Sequence, residues 1–205
     1  YPSKTVTELV VGIGRDSRIS GPDLTKEFIQ VLLAFGVRVI DFEMATTPSM
    51  FMATQFEEFN CDATVMLTAS HLPFYYNGLK FFTREGGLES SDIRDIIALV
   101  DEKEELPQEP VSTIEIKSIF ERYSNHLVDL IRKGSGSEKE KPLEGLHIIV
   151  DAGNGAGGFY AEKVLEELGA NTQGSQFLDP DGTFPNHIPN PDNKEAMESI
   201  KNQVL

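Results

Sequence analysis

The sequence has little positive charge and almost no cysteine. Lysine and arginine total 18 against 33 aspartates and glutamates, which gives a net charge of −15. A chain this acidic repels the backbone of nucleic acids and anionic membrane surfaces, so we expect neither as a partner. Cys61 is the single cysteine in 205 residues, so no intrachain disulfide can form. That fits a reducing compartment.

Long apolar runs are also missing. No segment approaches the roughly 20 apolar residues that cross a bilayer, and the first residues do not have the pattern of a signal peptide. We therefore expect a cytoplasmic protein. The plastid stroma or another organelle is the alternative, if an upstream transit peptide has been removed. The length is compatible with one or two domains.

Strands alternate with helices over the first hundred residues. Strands are predicted at 8–13, 37–42, 63–67 and 79–82, and helices at 22–35, 48–59 and 92–100, the last capped by Ser90 or Ser91. This alternation is typical of a parallel or mixed sheet with helices on its faces.

The composition changes after residue 100. Residues 101–110 are acidic and bounded by prolines, which predicts a solvated loop. A long amphipathic helix is predicted at 113–133. The glycine- and serine-rich segment 134–142 is the clearest linker in the chain. Beyond it, a second unit starts with a strand at 146–151, a glycine-rich turn and a helix at 159–168.

The segment from Thr68 to Lys80 carries the most chemistry. It combines a serine hydroxyl, an imidazole, an amide and an amine directly after a predicted strand, where open α/β sheets place their ligands. Ser70 is not in the Gly-x-Ser-x-Gly pattern of hydrolases. A bare serine hydroxyl is a weak nucleophile, so the other functional reading is that Ser70 carries a phosphoryl group. A plain turn between two strands is the alternative.

This segment resembles the phosphoserine loop of the α-D-phosphohexomutases, the phosphoglucomutase/phosphomannomutase family. Their pattern is Thr-(Ala/Gly)-Ser-His-Asn-Pro followed by Asn-Gly-x-Lys. The chain matches it in two separated blocks, at Thr68, Ala69, Ser70, His71 and Pro73, and then at Asn77, Gly78 and Lys80.

Further segments resemble the same family. They are Gly14-Arg15-Asp16-Ser17-Arg18 with Ser20-Gly21-Pro22, the pair Thr47-Pro48, the turn 151–157, and the tail motifs 184–187 and 189–191. The resemblance implies a three-layer α/β/α domain with a mixed, mostly parallel sheet, followed by the start of a second similar domain. We predict the first domain at 1–110, a connecting helix and linker at 111–142, and an incomplete second domain at 143–205.

The resemblance also implies roles for four residues. Ser70 would be the phosphoryl donor and acceptor, and Lys80 the general acid/base on the sugar hydroxyl. His71 would help to hold the loop and the transferring group, and Arg15 would be a supporting cation. A hexose monophosphate would be converted to a 1,6-bisphosphate, which reorients and returns its other phosphate to Ser70.

The implied cofactors are Mg²⁺, with the Ser70 phosphate as one ligand, and a hexose 1,6-bisphosphate as activator. Two features depart from the family pattern. Leu72 replaces an asparagine whose amide can form hydrogen bonds in the loop, and the metal loop Asp-Gly-Asp-Gly-Asp-Arg does not occur. We therefore expect that this chain, by itself, is inactive.

Two alternatives remain. One is a catalytically reduced relative or a regulatory fragment, because of Leu72 and the missing metal loop. The other is a Rossmann-type nucleotide-binding protein, because Gly153, Gly155 and Gly158 follow a predicted strand and Asp179 lies near the distance expected for a ribose contact. Cys61 is interpreted as a buried packing residue. Three further histidines, at 126, 147 and 187, lack the spacing of a zinc site.

Overall fold

The structure is a computed structural model that describes residues 4–100 and 112–204. These residues form two compact units. The first contains the described parts of 1–15, 20–68 and 77–118, and the second those of 16–19, 69–76 and 119–205. Two short segments from the first half of the chain, 16–19 and 69–76, therefore belong to the second unit. The acidic loop predicted at 101–110 lies outside the described residues. The domain boundaries given above stay predictions.

The first unit is built on a six-stranded sheet. Its strands are β1 Val10–Arg15, β2 Arg38–Met44, β3 Ala63–Leu67, β4 Leu79–Thr83, β5 Gly86–Gly87 and β6 Ile114–Ile116. The spatial order is β5-β4-β3-β1-β2-β6. The pairs β1/β2, β1/β3 and β2/β6 are parallel, whereas β3/β4 and β4/β5 are antiparallel. The predicted mixed, mostly parallel sheet is confirmed.

Three α-helices accompany this sheet, at Gly21–Ala34 (α1), Thr47–Ala53 (α2) and Ser90–Leu99 (α3). Pro22 lies in the first turn of α1, where its missing N–H costs nothing. Helix α2 ends before Phe56, so the prediction of a helix to residue 59 was too long. The cap of α3 is Glu89, whose N–H donates to the Asp92 carboxylate at 2.7 Å. The predicted serine cap was therefore wrong.

The two faces of β1 pack against different partners. Ile13 joins Ile29, Val39, Val65 and Leu67 in a buried cluster on the side of α1. The glycines that alternate with these apolar residues face the opposite side. A Cβ on Gly14 would lie only 2.5 Å from the Sδ of Met50 in α2, so the absence of a side chain lets α2 approach the sheet. Helices thus cover both faces, as the three-layer prediction requires.

Cys61 lies in this core and is fully buried. Burial raises the pKa of its thiol to about 12, and the neighbouring Asp62 adds to the shift. The interpretation of Cys61 as a packing residue is confirmed.

The helix predicted at 113–133 is in part a strand. β6 pairs in parallel with β2, and Lys117 N donates to Asp41 O at 3.0 Å. Helix α4 begins only at Phe120 and ends at Gly134. The short alternation of Ile114, Glu115 and Ile116 suits a strand, and the bonds to β2 decide in its favour.

The second unit contains α4, a π-helical segment at Ala161–Glu166 and a helix α5 at Lys194–Val204. Val128, Val164 and Leu168 form its buried apolar cluster. The strand predicted at 146–151 is reduced to two isolated bridges, at His147 and Asp151. Between them, Val150 N donates to the Ser175 side chain instead of a backbone carbonyl, so the ladder is interrupted.

The helix predicted at 159–168 starts late, and α5 was not predicted. Two tight turns lead into the π-helical segment. In them, Tyr160 N donates to Gly157 O and Ala161 N donates to Gly158 O. Within residues 4–100 and 112–204, none of the helices has the length and apolar character to cross a membrane.

We predict that Gly158→Ala destabilises the protein by about 1–3 kcal/mol, the usual cost of overpacking. A methyl group at this position would overlap the carbonyl oxygen of Leu178. Gly157→Ala is the matched control, because its methyl would lie 3.6 Å from the Tyr160 ring, at ordinary contact distance. Urea unfolding followed by circular dichroism measures both variants. Equal stabilities of the two variants would contradict the packing assigned to Gly158.

Candidate functional site

Ser70 lies on an exposed loop that follows the carboxyl end of β3. Thr68 N donates to Gly78 O at 2.9 Å where the chain leaves and rejoins the sheet. Residues 69–76 between them belong to the second unit. Ser70 itself is exposed and has a φ of +55°, in the left-handed region that residues other than glycine rarely adopt. The loop thus presents the serine in an unusual backbone conformation.

The loop is held by the guanidinium of Arg18, which is fully buried. Its Nη2 donates to the carbonyl oxygens of Ser70 at 2.7 Å and Leu72 at 2.9 Å. Its Nη1 donates to those of Pro73 at 2.6 Å and Tyr76 at 3.1 Å. One side chain therefore binds four carbonyl groups of the loop.

Arg18 is in turn oriented by its surroundings within the second unit. Its Nε donates to Asp16 Oδ2 and its backbone N–H to Asp16 Oδ1, both at 3.0 Å. The ring of Phe184 lies 5.2 Å from the guanidinium carbon. The Asp16 carboxylate compensates the positive charge of Arg18, because an unpaired charge would be very costly to bury.

Sequence reasoning had not assigned a role to Arg18. It appeared only as the last residue of the Gly-Arg-Asp-x-Arg pattern, whereas the supporting cation was expected to be Arg15. A signal was present, since two arginines flank one aspartate in a loop that follows a strand. Nothing in the sequence indicates which of the two arginine side chains is buried.

Arg15 and Lys80 belong to the first unit. The Arg15 side chain lines a pocket of about 290 Å³ beside α1, together with Thr25 and Asp41. Lys80 lies on β4, opposite Met66 of β3, and is partly exposed. The structure thus groups Ser70 and His71 with Arg18 in one unit and places Arg15 and Lys80 in the other.

His71 lines a pocket of about 330 Å³ within the second unit. On its polar side the pocket has a pair formed by His187 and Asp151, whose Nε2 and Oδ2 are 2.9 Å apart. Its apolar side includes Met197 and Ile200 of α5. Both ring nitrogens of His187 face oxygen acceptors, because Nδ1 lies 2.9 Å from Ile188 O.

Asp151 connects the glycine-rich turn to the tail of the chain. Its carboxylate accepts from Gly153 N and from Gln176 Nε2, each at 2.8 Å, in addition to facing His187. The next residue in this network, Asn154, donates from its side chain to Asp179 O at 2.9 Å. The glycine-rich turn is therefore occupied by contacts of the chain with itself.

A magnesium site is not formed by the described residues alone. Residues 4–100 and 112–204 contain no group of three or more His, Cys, Asp or Glu side chains that could hold a metal ion.

Comparison with known proteins decides the family. The family model for phosphoglucomutase/phosphomannomutase, alpha/beta/alpha domain I, matches residues 3–107, and that for domain II matches residues 121–205. The chain belongs to the phosphoglucomutase/phosphomannomutase family. The resemblance stated from the sequence and the fold inferred from it are confirmed, and the family assignment replaces the Rossmann-type alternative.

Individual relatives agree with this assignment. A phosphoglucomutase from Neisseria gonorrhoeae is 32% identical over 191 residues, which are 93% of this chain and 39% of the relative. A phosphomannomutase/phosphoglucomutase from Pseudomonas aeruginosa is 34% identical over 193 residues, 94% of this chain and 39% of the relative. The chain thus spans about two fifths of the length of these relatives.

A solved structure is similar over most of the chain. It is a phosphoglucomutase/phosphomannomutase family protein from Burkholderia thailandensis, with a TM-score of 0.80 and 28% identity. The match covers 96% of this chain and 42% of that one.

We predict that Leu72→Asn, which restores the residue of the family pattern, leaves stability within about 0.5 kcal/mol. The Leu72 side chain is 51% exposed, and the loop is held through its backbone oxygen. The midpoint of thermal unfolding measures the effect, with Phe42→Ala in the buried core as a destabilised reference. A change above about 1 kcal/mol would mean that the side chain at position 72 does determine loop geometry.

Proposed function

We propose that this chain carries the phosphoserine loop of a phosphohexomutase, which interconverts hexose 1-phosphate and hexose 6-phosphate through a phosphorylated Ser70. The main support is the exposed Ser70 on a loop whose backbone is bound by a buried arginine, in a member of the phosphoglucomutase/phosphomannomutase family. The substrate we propose is accordingly a phosphosugar.

The reaction consists of two phosphoryl transfers. In the first, a sugar hydroxyl oxygen attacks the phosphorus of phospho-Ser70. The bond from phosphorus to Ser70 Oγ breaks as the bond to the sugar forms, and the product is a hexose 1,6-bisphosphate. The intermediate reorients, and Ser70 Oγ then attacks its other phosphorus, which restores phosphoserine and releases the isomeric monophosphate. Net proton movement is from the sugar hydroxyl to Ser70 and back.

Three further residues assist the phosphoryl transfers in the mechanism that we propose. Lys80 acts as the general acid/base, which requires its amine to accept the hydroxyl proton and return it. His71 helps to hold the loop and the transferring group, and Arg15 supplies positive charge. Phosphoryl transfer depends mainly on positioning and on charge neutralisation, and a chain with a net charge of −15 offers few cations for that task.

The proposal includes Mg²⁺ and a hexose 1,6-bisphosphate as activator. When bound, the ion would neutralise charge on the transferring phosphoryl group. The bisphosphate would phosphorylate Ser70 and so prime the enzyme.

We predict that Ser70 takes up a phosphoryl group from glucose 1,6-bisphosphate. The natural full-length protein is incubated with the bisphosphate and digested, and its phosphopeptides are mapped by mass spectrometry. The phosphate is expected on Ser70, and Ser70→Ala is expected to abolish mutase activity. Ser91→Ala, which removes an exposed hydroxyl on α3, is the control and should retain both.

Two outcomes would contradict this proposal. An unmodified Ser70 in the wild-type protein would favour the catalytically reduced relative, and so would full mutase activity in Ser70→Ala. The assay includes Mg²⁺ throughout, so that an empty metal site does not mimic either outcome.

We further predict that Lys80→Ala lowers kcat by a factor of about 10² or more, the effect expected for lost proton transfer. Steady-state kinetics with a hexose 1-phosphate measure it. Lys117→Ala is the matched control, because this lysine of the same unit pairs with Glu115 at the sheet edge, at 2.8 Å. Turnover close to that of wild type in Lys80→Ala would remove Lys80 from the role of general acid/base.

A further inference from the structure

We propose that Arg18 is the positioning residue of the phosphoserine loop and sets the geometry in which Ser70 gives and receives its phosphoryl group. This inference rests on the proposed function, and the structural half of it can be tested separately. Arg18 does not need to touch the substrate for this role. It would act through the backbone that carries Ser70.

Arg18 uses every hydrogen-bond donor of its guanidinium. A guanidinium has five N–H donors in a rigid plane. Two on Nη1 and two on Nη2 are donated to carbonyl oxygens of the loop, and the fifth, on Nε, is donated to Asp16. A lysine has three donors at a single point and cannot serve four carbonyls and a carboxylate. The loop is therefore built around a group that only arginine supplies.

The backbone conformation of Ser70 also requires restraint. A left-handed φ at a residue other than glycine persists only where the surroundings fix it. Arg18 Nη2 donates to the carbonyl oxygen of Ser70 itself at 2.7 Å. The neighbouring bond to Leu72 O restrains the chain two residues further on. Without these bonds we expect Ser70 to leave the left-handed region.

Several side chains of the loop are exposed and contribute little to holding its backbone. Leu72, Phe74, Tyr75 and Tyr76 all have exposed side chains, Tyr75 to 68%. Two turns are closed by backbone bonds inside the loop, from Leu72 N to Ala69 O and from Tyr76 N to Pro73 O. Because these side chains face solvent, the four carbonyl groups that Arg18 binds are an important attachment of the loop.

The anchoring of Arg18 explains how the guanidinium stays in place. Asp16 fixes both its backbone and its Nε, and Arg18 also forms a parallel bridge with Gly182. A methyl group on Gly182 would overlap Ser17 O, so the tail runs close against this segment. Asp16 and the segment around Gly182 thus both restrain Arg18 within its own unit.

The test compares Arg18→Lys with wild type in the natural full-length protein. Arg132→Lys is the matched control, because Arg132 lies on α4 in the same unit and pairs with Glu167. Three quantities are measured: the rate of phosphoryl transfer from glucose 1,6-bisphosphate to Ser70, kcat and KM for a hexose 1-phosphate, and the rate of chymotrypsin cleavage after residues 74–76. Asp16→Asn is a milder second variant, in case Arg18→Lys does not fold by circular dichroism.

We expect Arg18→Lys to slow phosphoryl transfer and kcat by a factor of about 10 to 100, as misplacement of a reacting group does. KM should stay within about twofold, because the substrate contacts are kept. Chymotrypsin should cut the loop faster, and Asp16→Asn should change all three quantities in the same sense. Arg132→Lys should match wild type.

Transfer to Ser70 at the wild-type rate in a folded Arg18→Lys protein would overturn the inference, and so would unchanged cleavage of the loop. If wild-type Ser70 takes up no phosphate, the proposed function fails. Cleavage then decides alone whether Arg18 positions the loop.

Discussion

The buried guanidinium of Arg18 is the interaction on which the candidate site depends. It donates hydrogen bonds to four carbonyl oxygens of residues 69–76 and so holds the backbone of the loop. A buried positive charge is tolerated here because Asp16 lies beside it and every donor has an acceptor. The exposed serine can therefore be both accessible to a substrate and fixed in its backbone.

This arrangement accounts for a departure from the family pattern. Position 72 carries leucine where the family pattern has an asparagine, whose amide can form hydrogen bonds in the loop. The structure instead holds the loop through the carbonyl of Leu72 and leaves the side chain in solvent. Carbonyl groups are common to all residues, so a loop held in this way tolerates changes of side chain.

Sequence patterns predicted the sheet better than the second unit. The buried strands with flanking glycine and proline were found within a few residues, as at Ala63–Leu67. The predicted helix at 113–133 missed β6, because three residues are too few to distinguish a strand from a helical turn. The role of Arg18 was missed for a different reason. Its partners in the loop are backbone carbonyls more than 50 residues away. Every residue has a carbonyl group, so the sequence does not show which of them accept a hydrogen bond.

The central claim is that Ser70 is a phosphoryl carrier in the mutase reaction, and kinetic competence tests it most directly. Protein labelled with radioactive phosphate on Ser70 is mixed with excess hexose monophosphate in a rapid-quench instrument, and the label is followed over a single turnover. We expect the label to leave Ser70 at least as fast as steady-state turnover and to appear in the sugar bisphosphate. A label that stays on Ser70 through many turnovers would contradict it.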